Sequence, residues 1–152
     1  MSTPEVLKPA LYAAEGTAAV PDHPSLKGGR CQCGYVFFPL QTYGCEVCGR
    51  TGDALQPVAL SGRGTLIASA RVHIHANRAP AAKPGAKPPE VKPHEAPFTI
   101  GSIKLEDGPT VRTLLVDIDD RTLAPGQKMV AKLVSVGTGD KAIVDLRFTA
   151  AT

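Results

Sequence analysis

RCQCGYVFFPLQTYGCEVCGR, residues 30–50, holds all four cysteines of the chain: Cys31, Cys33, Cys45 and Cys48. They form two close pairs with 11 residues between them, and each pair is followed by a glycine, Gly34 or Gly49. Two short cysteine hooks joined by a hairpin are what a tetrahedral metal requires. Four thiolates at about 2.3 Å satisfy zinc and leave no open position. Each glycine allows the chain to turn sharply behind its hook. The stretch reads as a structural zinc ribbon with Cys31, Cys33, Cys45 and Cys48 as ligands.

Three other readings compete. Disulfides fit poorly, because a bond within either pair closes a tiny loop that constrains the unfolded chain very little. The first 30 residues also lack a basic start followed by an apolar run, so a reducing, cytoplasmic setting is expected. An iron site of the rubredoxin kind calls for two regular hooks. Cys45-Glu46-Val47-Cys48 is regular, but Cys31-Gln32-Cys33 is one residue short. A redox-active pair at Cys45 and Cys48 leaves Cys31 and Cys33 without a purpose. The short first hook bears on the geometry of the site more than on the presence of a metal.

The remainder of the 152 residues suits one ordinary domain or two small ones. No run of 18 apolar residues is present, so no membrane-spanning helix is expected. The reading divides the chain into an N-terminal segment (1–29), the ribbon (30–56) and a β domain (57–152). In the first, Thr3-Pro4-Glu5 reads as a weak helix start, and Pro9 to Glu15 as a second short helix stopped by Gly16. Within the ribbon, residues 35–40 read as a strand, with Phe37 and Phe38 as the small core under the metal and Gln41–Gly44 as the turn back.

From Pro57 onward the pattern is all-β. Leu66, Ala68, Ala70, Val72 and Ile74 alternate with polar and exposed positions, which predicts a long strand with one core face. Gly62 and Gly64 bracket its start, where a bulge or bend is expected. Further strands are expected at 98–105, 110–119, 128–136 and 142–149. Asp107-Gly108, Pro125-Gly126 and Gly137–Gly139 supply the turns. Val144, Leu146 and Phe148 should share a face. Five strands with short turns, one of them long and glycine-bracketed, predict the five-stranded OB-fold barrel. Residues 79–97, with six prolines and three lysines, interrupt it as a polar loop between the first two strands.

Sites for chemistry are few. The sequence has no nucleophile elbow, phosphate loop or dinucleotide fingerprint, and the metal consumes every thiol. Arg63, between two glycines, is a candidate to present a guanidinium to phosphate, although glycines at a barrel strand start also have a structural role. His73 and His75, with Arg71, are candidates to line a ligand groove, against the simpler reading of a solvated face. Lys83 and Lys87 of the long loop are candidates to steer a polyanion, against the simpler reading of a solvated linker. Asp117, Asp119 and Asp120 lack calcium-loop spacing and read as an acidic turn. A single-stranded nucleic-acid-binding module is the alternative class. Against it, residues 58–78 and 98–152 carry 10 Lys+Arg and 7 Asp+Glu, a small excess for tracking phosphates. That region also offers only Phe98 and Phe148 for stacking.

The order of features, from Arg30-Cys31 and Cys33-Gly34 through Phe38-Pro39 and Cys45, Cys48-Gly49 to Leu60-Ser61-Gly62-Arg63-Gly64-Thr65, resembles the rubredoxin-like zinc-ribbon plus OB-fold family that accompanies thiolase-fold enzymes. Ile103–Pro109 and Leu123–Val130 resemble that family's second strand and turn, and its entry to the fourth strand. The short first hook and the long proline-rich loop depart from the pattern. The resemblance implies a non-catalytic subunit in a hetero-oligomer with a thiolase-fold partner that supplies the nucleophile and base. It implies action on an acyl-CoA, in thiolytic cleavage or condensation, with this chain helping to enclose the CoA passage. Arg63, His73, Lys83 and Lys87 would be the contacts to CoA or partner. The single-chain form is similar to small subunits of benzoylsuccinyl-CoA-type thiolases of aromatic degradation.

Overall fold

The computed structural model describes residues 5–73, 97–137 and 142–151. Its order is β1 (Glu5–Val6), β2 (Tyr12–Ala13), β3 (Ser25–Cys31), β4 (Val36–Phe37), β5 (Leu55–Leu60), β6 (Arg63–Val72), β7 (Phe98–Leu105), β8 (Thr110–Leu115), β9 (Lys128–Ser135) and β10 (Ile143–Ala150). β6 to β10 close into the expected five-stranded barrel. The strands run β10-β8-β7-β6-β9, and β9 pairs again with β10. The β10–β8 pairing is parallel, and the β6–β7, β7–β8, β6–β9 and β9–β10 pairings are antiparallel. Closure leaves no open edge around the ring where the ladders are complete. The inward rows fill the barrel with Leu66, Ile103, Leu105, Met129 and Phe148, each at most 2% exposed.

Two turns follow from glycine. Gly108 has φ 124° and donates to the Leu105 carbonyl at 3.0 Å, closing the β7–β8 hairpin. Gly126 has φ 95°, and Gln127 donates to Ala124 at 3.2 Å, as a type II turn over Pro125-Gly126 demands. The Gly137–Gly139 turn extends beyond the described residues.

Three expectations need correction. First, the N-terminal short helices do not form. The described residues contain no α-helix, and their one helical element is a 3₁₀ turn at Gly52–Ala54. Thr3-Pro4 lies outside the described residues. β1 instead pairs in parallel with Ile143 and Val144, and β2 pairs with Ser25 and Leu26. So short a helix has too few hydrogen bonds to offset its nucleation cost, so strand pairing with distant segments decides the outcome.

Second, β6 keeps its inward face only to Leu66. The β6–β7 register shifts between Leu66 and Ala68, and β9 pairs with β6 only through Thr65. Beyond that bulge Ala68 and Ala70 are exposed, and Ile67 is 48% exposed. The bulge therefore sits beyond Gly62 and Gly64; at the strand start itself the bend forms, with Gly62 at φ 70° between β5 and β6, and both glycines pack closely. A Cβ on Gly64 would lie 2.4 Å from the Lys104 carbonyl oxygen, and one on Gly62 would lie 2.5 Å from that of Pro24. Third, β8 stops at Leu115, and Asp117 just beyond it adopts the left-handed region at φ 52°.

The N-terminal segment is tied to the barrel by one buried polar contact. Tyr12 is 4% exposed, and its hydroxyl donates to Asp145 Oδ1 on β10 at 2.7 Å. Burial, with the adjacent Asp145 carboxylate, holds the phenol far above its ordinary pKa, so it stays a donor. Tyr12→Phe removes that donor from a nearly buried carboxylate. The expected cost is about 1–3 kcal/mol in urea unfolding; a midpoint equal to the parent's would show that the tie contributes nothing.

Candidate metal centre

β3 and β5 form the antiparallel base of the ribbon, paired from Leu26↔Leu60 to Cys31↔Leu55. β4 pairs with the other edge of β3 at Gly29↔Phe37 and Arg30↔Val36. The glycines of β3 make room for this packing. A Cβ on Gly29 would sit 2.3 Å from the Phe37 ring, and one on Gly28 would sit 2.7 Å from Leu60 Cδ1. The two phenylalanines divide their work. Phe37 packs with Cys31, Cys45 and Leu55 under the cysteine cluster, whereas Phe38 packs on the barrel core.

The hooks close by one recipe at two lengths. In the second, Gly49 donates to the Cys45 carbonyl at 2.9 Å and Cys45 donates to the Arg50 carbonyl at 2.8 Å. In the first, Gly34 donates to the Cys31 carbonyl at 2.9 Å and Cys31 donates to Tyr35 at 2.8 Å. The missing residue shortens each span by one without changing the pattern. Both glycines take positive φ, 97° at Gly34 and 79° at Gly49, so each hook turns where only glycine is unstrained. Between the hooks, the Gln41 side chain bridges to Gly44, accepting from its N–H at 3.0 Å and donating to its carbonyl at 2.6 Å.

All four sulfurs lie within 4.8 Å of one another. Cys31 Sγ is 3.4 Å from Cys48 Sγ, and Cys33 Sγ is 3.7 Å from Cys45 Sγ. These separations are far above a bond between sulfurs and near the roughly 3.8 Å edge of a tetrahedron built on zinc–sulfur bonds. The donor set also needs a cation. Chiefly through the Arg50 backbone N–H, and through neighbouring thiols, Cys48 is pulled down to about 6. For Cys31 the Cys33 backbone N–H lowers the pKa, but burial and hydrogen bonds to the other thiols outweigh it and push it up to about 11. Left alone, the cluster therefore ionises unevenly; a divalent metal lets all four become thiolates. Arg50 Nη1, 3.6 Å from Cys48 Sγ, adds a further positive group. The four residues fit a closed, structural site.

The other candidates do not gather here. Arg63 begins β6 and forms an exposed ion pair with Glu106, with Nη2 to Oε2 at 3.1 Å. His73 is exposed just past β6. His75, Lys83 and Lys87 lie outside the described residues. Arg71 pairs with Asp120, which also accepts from Thr99 Oγ1 at 2.8 Å, and Lys132 pairs with Asp117. The acidic turn is thus partnered by cations of the protein. Phe148 is 0% exposed, which removes one of the two barrel aromatics from any stacking platform. The Tyr12–Asp145 pair went unread in the sequence, because no local pattern marks two polar groups that meet across the fold.

A four-thiol ribbon built into an OB-fold barrel defines the class of the protein. Residues 57–134, just over half the chain, match the family described as "ChsH2, C-terminal OB-fold domain", and the chain belongs to that family. The matched span starts within β5 and ends in β9, before the strand that closes the barrel. A "DUF35 domain-containing scaffold protein" of Methanothermobacter thermautotrophicus is 27% identical over 111 residues, 72% of each chain. A protein so described from Pyrococcus furiosus is 25% identical over 104 residues, 68% of this chain and 65% of its own. Among solved structures, the "Ltp2-ChsH2(DUF35) aldolase" superposes with a TM-score of 0.61 at 20% identity, over 84% of this chain and 86% of its own.

The purified chain is expected to carry one equivalent of zinc by elemental analysis, and Cys45→Ser to carry almost none. Full zinc in the variant would show that the four thiols are not the ligand set.

Proposed function

We propose that this chain is a non-catalytic scaffold subunit. It binds structural zinc through Cys31, Cys33, Cys45 and Cys48 and docks, in the cytoplasm, on a thiolase-fold catalytic partner acting on an acyl-CoA. On this reading the 1–29 segment braces the barrel, 30–56 is the ribbon and 57–152 the OB-fold domain. The partner supplies the nucleophilic cysteine and general base for thiolytic cleavage or condensation. This chain supplies a rigid wall for the CoA passage, with Arg63, His73, Lys83 and Lys87 as its candidate contacts. The family resemblance to aromatic-degradation thiolases supplies the expected substrate class. Relatives described as scaffold proteins, and a neighbour that is an aldolase with a ChsH2 component, support an accessory role.

The observation that carries the proposal is the set of exposed apolar side chains on the ribbon. Tyr43 is 84% exposed, Val47 68% and Leu40 36%, and all three ride on the segment that the cysteines pin. Large apolar side chains held rigidly in water lose little freedom on docking, and a tyrosine is the kind of anchor that dominates interfaces. The full chain should co-purify with a thiolase-fold subunit when the two are co-expressed. Tyr43→Asp with Val47→Asp should weaken that complex by at least about tenfold while zinc content stays intact. An unchanged dissociation constant would move the interface elsewhere, and thiolase turnover by this chain alone would overturn the accessory role.

A further inference from the structure

A groove of about 330 Å³ lies between the N-terminal segment and the outer face of the barrel at β7 and β8. That size is at the low end of small-molecule sites. The face is the one OB-folds use for ligands. Here two facing outward positions are apolar where solvent would favour polar residues. Ile100 and Leu114 are register partners on β7 and β8 and both are half-buried. Leu11 and Phe38 face them from the N-terminal segment and the ribbon. The polar groups at the back, Tyr12 and Asp145, satisfy each other. At the rim stand Lys8 and Arg112, both exposed, and neither has an ion-pair partner among the described residues.

We propose that this groove binds a medium-length apolar chain ending in a carboxylate, with its tail between Leu11, Phe38, Ile100 and Leu114 and its head between Lys8 and Arg112. The charges fix the direction. The back of the groove offers no free cation to an anionic head, because Asp145 is already paired with Tyr12 and Arg147, whereas Lys8 and Arg112 at the rim, without an ion-pair partner among the described residues, would attract one. The apolar walls favour the tail by area alone and select no branching pattern. The inference does not depend on which catalytic partner the chain assembles with.

The test uses the zinc-loaded full chain, labelled with nitrogen-15, titrated with hexanoate, octanoate and decanoate below their micelle concentrations. Amide shifts should centre on Ile100 and Leu114. Affinity should rise about three- to fourfold per added methylene until the groove is full. Arg112→Glu, at an exposed position, should weaken octanoate by at least about tenfold. Absence of shifts up to millimolar decanoate would overturn the proposal and leave the groove to a polypeptide. Affinity independent of chain length would also overturn it, as would equal binding by Arg112→Glu. Should that variant fail to fold, the chain-length series on the parent decides by itself.

Discussion

The antiparallel ladder between β3 and β5 joins the metal site and the barrel into one object. At one end Cys31 stands opposite Leu55, under the cysteine cluster. At the other, Leu26 stands opposite Leu60, and both belong to the barrel core. A ribbon of this size has little core of its own. Phe37 and Leu55 each contribute about 1.5–3 kcal/mol on burial. Ordering the loop between the hooks costs about 1–2 kcal/mol for every residue fixed. Burial loses that comparison by a wide margin. A structural metal bound at the four cysteines would change the sign, at about 10–16 kcal/mol. The exposed ion pairs of Arg63 and Lys132 add little beside it.

Such a construction suits a scaffold. On the proposed function, a ribbon that presents Tyr43 and Val47 to another protein gains from being stiff, because freedom lost during folding is not lost again on binding. Gly28 and Gly29 make the stiffness attainable. Without a side chain at either position, the Phe37 ring and Leu60 close directly over β3. The ladder thus links a local sequence choice, two adjacent glycines, to the placement of a surface remote from the barrel.

Much of this was legible in the sequence, for physical reasons that also explain the failures. The gathering of the four cysteines could be read because the spacing a metal requires acts over short sequence spans. The strands at 98–105 and 128–136 fell almost where expected, because they are bounded by Asp107-Gly108 and Pro125-Gly126, whose backbone angles are set by the residues themselves. β6 misled from Ala68 onward because a bulge shifts register without any change in composition. The N-terminal residues read as weak helix, and they pair instead with β10 and β3, partners that a local pattern does not reveal. Tyr12 and Asp145, and the cations Lys8 and Arg112 around the groove, belong to the same class of contact between distant segments.

Native-state hydrogen exchange on the zinc-loaded chain tests the central claim most directly, because it reports the opening free energy of each amide. If the ladder makes ribbon and barrel one unit, the paired amides of β3 and β5 should open with the same free energy as those of β7 in the barrel. Amides of Cys31 and Cys45, fixed by the metal hooks, should follow closely. A separate opening of residues 25–60 at much lower free energy, with β7 still protected, would contradict the account and leave the ribbon an appendage on an independent barrel.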